Sequence, residues 1–271
     1  MEGSAVFYRS PGDEYPTIVR GSGVYLWDDT GKEYLDLASG ISATAGIGQG
    51  RDDIADAMAD QVRKLTFVHN ARVSNEPQEL LARRLVDLAP DGVNKVMFTS
   101  GGSESNELAL RITRQYHLAN GDWERTKVVS LSPSYHGATV GALSMTGNWQ
   151  VTRPYEAYLM NNVKVTAPIS YRGPFAGLND TELAERAAGA VAAAIEAVGP
   201  HTVAAFMAEP ISPAAGMAVP PAQYWQQVRE ICDEYGVLFI ADEIVSGSGR
   251  TGAFNAFMHF DVVPDITNLA K

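Results

Sequence analysis

From position 93 onward, short apolar runs alternate with segments of helical periodicity, and no other feature restricts the fold as much. Strands are predicted at 94–99, 127–131, 163–166, 203–208 and 237–241, with helices at 103–117, 180–198 and 221–235 among them. A strand buried on both faces reads as a near-continuous apolar run, as VAAFMA does before Glu209. The helix at 103–117 carries Leu108, Ile112 and Tyr116 on one face. Short strands alternating with helices predict an α/β fold, a mostly parallel sheet with helices on both faces. In such sheets ligands gather beyond the carboxyl ends of the strands. Ser100 to Ser103, Glu209 and Asp242 fall at those ends.

The first 50 residues read differently. GVYLWDDTGKEYLDL, at 23–37, predicts two short strands around a DDTG turn. SGISATAGIGQG is loop by its glycine and small residues. A helix is predicted at 51–65, and Pro77 opens another that runs to about Leu88. With a net charge of −11 and a pI of about 4.9, the surface repels phosphate backbones, which argues against a nucleic-acid partner. A single cysteine, Cys232, excludes an internal disulfide and suits a reducing compartment. Its spacing from Val228, Ile231 and Tyr235 places it in a helix core. No run approaches a membrane span, and the start has no basic region followed by an apolar stretch. The expectation is a soluble, cytoplasmic protein without membrane contact.

Five segments carry chemistry. In TSGGSESNE, two glycines allow close backbone approach before a helix whose free N–H groups and dipole suit an anion. Ser103 either adds a hydroxyl to such a site or simply caps the helix. In SYHG, Tyr135 can stack on a planar ring or pack. His136, which titrates near neutrality, is either an acid–base group or a structural residue at a glycine turn. Glu209 ends an apolar strand, either as part of a site or as a loop acid. Asp242 ends the next one, and a buried acid needs a partner. That partner is a ligand cation, or else Asp242 caps the following turn. The apolar stretch 266–270 delivers Lys271. An amine that condenses with an aldehyde, and an acid that pairs with a pyridinium nitrogen, are what pyridoxal 5′-phosphate chemistry needs. GSGRTG, at 247–252, reads as a structural or subunit-interface loop. The histidines show no metal-ligand spacing, so no metal is expected.

Taken in order, SGGSESNE, YHG, the Glu-Pro after a strand, and DEIVSGSGRTG followed by DITNLAK resemble the class III pyridoxal phosphate-dependent aminotransferases, the omega-amino acid and amine transaminases. Asp242 stands 29 positions before Lys271 (271 − 242), as in the family pattern, and WDDTGKEYLDL extends the likeness towards the start. The resemblance implies fold type I. Residues 1–65 would contribute to a small domain, and 66–271 would form the large cofactor-binding domain. Gly102 and Ser103 would hold the phosphate, Tyr135 and Ile244 would flank the ring, and Asp242 would pair with its nitrogen. Lys271 would be the Schiff-base lysine and catalytic base, with His136 and Glu209 beside the cofactor. A homodimer with shared sites is implied, moving an amino group by a ping-pong mechanism from a primary amine or omega-amino acid to pyruvate or 2-oxoglutarate. Gln49 and Asp52 stand where many members carry His and Pro, as in the amine- and β-alanine–pyruvate branch. Ser42 and Ala43 imply a roomier pocket there. Family chains continue past their lysine, whereas this sequence stops on it, so the resemblance also implies truncation. Two alternatives remain: an aminomutase, racemase, decarboxylase or phospholyase on the same scaffold, or a non-catalytic cofactor-binding fragment.

Overall fold

The computed structural model describes residues 4–8, 10 and 12–271, with only the backbone of Ile41 and Ser42. The side chain of Ser42 therefore lies outside the described residues. By their contacts the residues form two compact units: those up to Asn75 together with Lys271, and Glu76–Ala270.

In the first unit, β1 (Ile18–Ser22), β2 (Tyr25–Asp28) and β3 (Glu33–Leu35) form an antiparallel sheet in that order. Asp28 builds the turn between the last two. Its Oδ1 accepts from the N–H and hydroxyl of Thr30 and from the Lys32 N–H, and its Oδ2 accepts from Tyr34. These donors, the Thr30 hydroxyl first, hold its carboxyl down to about 2. The small-residue loop that follows contains one π-helical turn, Ser39–Ala43. Helix α1 (Asp52–Lys64) places Asp52 and Asp53 in its first turn and Arg63 and Lys64 in its last, as the helix dipole favours.

The second unit begins with α2 (Glu76–Leu88) and α3 (Gly102–Ala119). There follow β4 (Lys127–Ser132), α4 (Val140–Met145), α5 (Trp149–Thr152), β5 (Val163–Thr166) and α6 (Asp180–Val198). The unit closes with β6 (Val203–Ala208), α7 (Ala222–Tyr235), β7 (Leu238–Asp242) and β8 (Ile266–Asn268). The five strands form an all-parallel sheet in the order β5-β4-β6-β7-β8. Helix α6 starts on a reciprocal capping box between Asn179 and Glu182. Helix α7 ends at Gly236 in the left-handed region.

Successive side chains of a strand point to opposite faces, and both faces here are covered. Val129, Leu131, Phe206, Ala208, Phe239 and Ala241 join one cluster with residues of α6 and α7. Val128, Ala205, Met207 and Ile240 join a second with Ala109 of α3 and Met145 of α4. The expected layering is present. No helix among the described residues is long and apolar enough to cross a membrane.

One expected strand is not formed. Residues 94–99 take no regular structure and pair with no described strand, and the sheet ends at β8. A cavity of about 520 Å³ lies between the 93–101 segment and residues 265–270. An apolar run shows that a segment can be extended, but a ladder also needs a neighbour, which the run cannot supply.

Trp225 is fully buried, with its ring centroid 4.9 Å from that of Phe257 and 4.7 Å from that of Tyr224. Replacing it with alanine removes the largest side chain of the α7 cluster. Trp225→Ala is expected to lower the unfolding free energy by about 3–5 kcal/mol. In urea this appears as a lower midpoint with an unchanged slope, and an unchanged midpoint would contradict it.

Candidate active site

The sheet order places β5 and β6 on opposite sides of β4, so the connections after β4 and β6 diverge and leave a crevice at their carboxyl ends. The segments that exit there carry the residues singled out above.

Asp242 is the last residue of β7 and is 3% exposed. Its Oδ2 accepts from His136 Nδ1 at 2.7 Å and from Asn106 Nδ2 at 2.8 Å. Its Oδ1 accepts from the Ile244 N–H at 3.2 Å, so the turn-capping bond is also made. A carboxylate only accepts, so His136 carries its proton on Nδ1. His136 Nε2 is buried with no hydrogen-bond partner. His136 is 1% exposed, and its backbone N–H donates to Thr146 Oγ1. Its imidazole faces Asp242, which makes it a partner of that acid.

Helix α3 starts at Gly102, and the preceding Gly101 is extended and gives no side-chain cap. Ser103 is therefore not a helix cap. Its Oγ accepts from the Ala138 N–H at 3.1 Å and ties the helix start to the YHG loop. Gly137, at φ +136°, must be glycine on two counts. The backbone lies where side chains strain, and a Cβ would fall 2.6 Å from Ser103 Oγ. A Cβ at Gly102 would fall 2.8 Å from Ile244 Cδ1, so Ile244 lies directly against the first turn of α3. The first backbone N–H groups of this helix have no partner within it, which leaves them for an anion. Tyr135 is 44% exposed, open to meeting a ligand.

Glu209 follows β6 and is buried. Its Oε2 accepts from the Tyr135 N–H at 3.1 Å and from Ser212 Oγ at 2.8 Å. Burial pushes its carboxyl from the usual 4.5 up to about 7; nearby Asp242 adds to the rise, and His136 and the two donors oppose it. Glu243 clamps the loop beyond GSGRTG. Its carboxylate accepts from the Ala256 and Phe257 N–H groups, and burial pushes its pKa up.

The second unit thus brings together Gly102, Ser103, Tyr135, His136, Glu209, Asp242 and Ile244. Lys271 follows β8 by three positions and is grouped with the first unit. Sequence reading missed Asn106, Glu243 and Asn268. Asn106 was in view within SESNE, and Asn268 within DITNLAK, but a neutral amide signals nothing until its partners are known. Among the described residues no group of three or more His, Cys, Asp or Glu is placed to hold a metal ion.

The raised Glu209 carboxyl fixes a pH dependence. Below pH 4.5 the acid is protonated in both native and unfolded chains, and its contribution to stability is fully present. Between 4.5 and about 7 only the unfolded chain ionises, so stability falls, by at most about 1.4 kcal/mol per pH unit. In cofactor-free protein, the melting temperature of Glu209→Gln minus that of the unchanged chain should therefore rise from pH 5 to 7 and then level off. A difference that stays flat would contradict the buried, protonated acid.

Comparison with known proteins gives one answer. The family model for aminotransferase class-III matches residues 8–271. An uncharacterised aminotransferase of Schizosaccharomyces pombe is 38% identical over 268 residues, covering 98% of this chain and 58% of its own length. The hypotaurine/taurine–pyruvate aminotransferase of Paracoccus denitrificans is 36% identical over 95% of this chain and 56% of its own length. The crystal structure of the omega transaminase from Pseudomonas jessenii in complex with PMP superposes with a TM-score of 0.91 at 34% identity, over 98% of this chain and 60% of that one. The chain thus spans a little over half the length of the curated relatives it matches. Similar to them along almost its whole extent, it belongs to the class-III aminotransferase family.

Proposed function

We propose that the protein to which these residues belong is a pyridoxal 5′-phosphate-dependent aminotransferase. It moves an amino group from a primary amine or omega-amino acid to a keto acid, pyruvate or 2-oxoglutarate, by a ping-pong mechanism. The observation that carries this reading is the buried Asp242. Its Oδ2 is held by two side-chain donors, and its Oδ1 takes only a 3.2 Å backbone bond. An acid buried and oriented in this way suits a cationic N–H donor such as a pyridinium. The relative named for hypotaurine, taurine and pyruvate supports the choice of donor and acceptor class.

The residues present fit the cofactor. Gly102 and Ser103 open an 18-residue helix, and their N–H groups and the Ser103 hydroxyl suit its phosphate. Tyr135 and Ile244 offer an aromatic and an aliphatic face for its ring. Asp242 would pair with the ring nitrogen, and His136 holds Asp242 in place. When bound, the cofactor supplies an electrophilic aldehyde and a ring that withdraws electrons from the carbon being deprotonated. The Lys271 amine is the covalent anchor for that aldehyde. When free, that amine would be the base that takes the proton from the donor carbon. Glu209 fixes the Tyr135 backbone through its N–H. On this reading the protein works as a homodimer with shared active sites, as the family resemblance implies, and in the cytoplasm, as the sequence composition suggests.

Lys271→Ala is the direct test of the chemical step. It removes anchor and base together, so turnover of an amine with pyruvate should fall by about 10⁴-fold or more, while the cofactor still binds through phosphate and ring. Normal turnover in that variant would overturn the assignment.

A further inference from the structure

Behind Asp242 runs a chain of polar groups whose direction is fixed by its end. Asn106 Nδ2 lies 2.6 Å from the His136 carbonyl oxygen and 2.8 Å from Asp242 Oδ2. Both partners only accept. The Asn106 carboxamide must therefore turn its nitrogen towards them and its oxygen away. That oxygen meets Asn268 Nδ2 at 2.6 Å, which requires Asn268 in turn to present its NH2 group. The Asn268 oxygen then accepts from Ser105 Oγ at 3.1 Å. Neither amide can flip without setting oxygen against oxygen. Asn106 is fully buried and Asn268 nearly so. Asn268 is also the residue opposite Asp242 in the β7–β8 ladder, and its carbonyl accepts the Glu243 N–H at 3.0 Å.

We propose that Asn268 is a positioning residue: it locks the Asn106 carboxamide in one orientation and so fixes the Asp242 carboxylate for pairing with the cofactor's ring nitrogen. The inference rests on the cofactor reading above. With Oδ2 gripped by Asn106 and His136, the carboxylate cannot rotate, and Oδ1 keeps a constant direction. Asn268→Asp keeps the shape and loses the donor. The Asn106 oxygen then faces another acceptor, and turning that amide would bring its oxygen against Asp242. Asn268 acts through Asn106, so its loss should be felt at the ring nitrogen and nowhere else on the cofactor.

A pair of aldehydes isolates that atom. Dissociation constants of pyridoxal 5′-phosphate and of 1-deazapyridoxal 5′-phosphate, in which carbon replaces the ring nitrogen, are measured for the 271-residue chain and for Asn268→Asp. The unchanged chain should favour the natural aldehyde. In the variant this preference should shrink by about tenfold or more, with little change in affinity for the deaza compound. A preference retained in full overturns the positioning role, including the case where both affinities drop together. If Asn268→Asp binds neither compound, Ser105→Ala decides: a reduced preference upholds the proposal and an unchanged one overturns it. An unchanged chain that shows no preference, or binds neither compound, instead contradicts the reading of Asp242 as the ring-nitrogen partner.

Discussion

A carboxylate withdrawn from water needs donors, and Asp242 draws them from three parts of the chain: the loop after β4, helix α3, and the turn that follows its own strand. Each of these donors is itself fixed. His136 is held by Thr146, Asn106 by Asn268, and the Ile244 side chain lies against the glycine that starts α3. The acid is thus the point where the sheet, the first covering helix and the strand-exit loops meet. Moving any of them disturbs its hydrogen bonds.

The fold explains why these segments converge. Helices pack on both faces of the parallel sheet, and in such sheets ligands gather beyond the strand ends. The loop after β4 and the segment after β6 meet there, and Glu209 accepts the Tyr135 N–H across the gap between them. Two carboxyls in one crevice are then treated differently. Asp242 receives side-chain donors at a buried strand end, whereas burial drives Glu209 towards its protonated form.

Much of this was legible in the sequence. The elements Val163–Thr166, Asp180–Val198 and Val203–Ala208 were readable residue for residue, because local period and turn residues decide them. Asp242, Tyr135, His136 and Glu209 stood out because each follows an apolar strand. The 94–99 segment was misread because a strand is defined by a partner, and the local pattern does not contain one. Ser103 and His136 make their contacts far away in sequence, at Ala138 and Asp242, which local pattern does not reveal. Asn106 and Asn268 stand 162 positions apart, and neither residue type marks chemistry, so their link existed only once the chain was folded.

The central claim is that these residues build a site for amino-group transfer on pyridoxal 5′-phosphate. The most direct measurement is the visible absorption spectrum of the purified protein with that cofactor, followed through addition of a primary amine and then of pyruvate. The account predicts an absorption band in the visible that appears on binding, bleaches with the amine and returns with the keto acid. A band that persists unchanged through both additions, or the absence of any band, would contradict it.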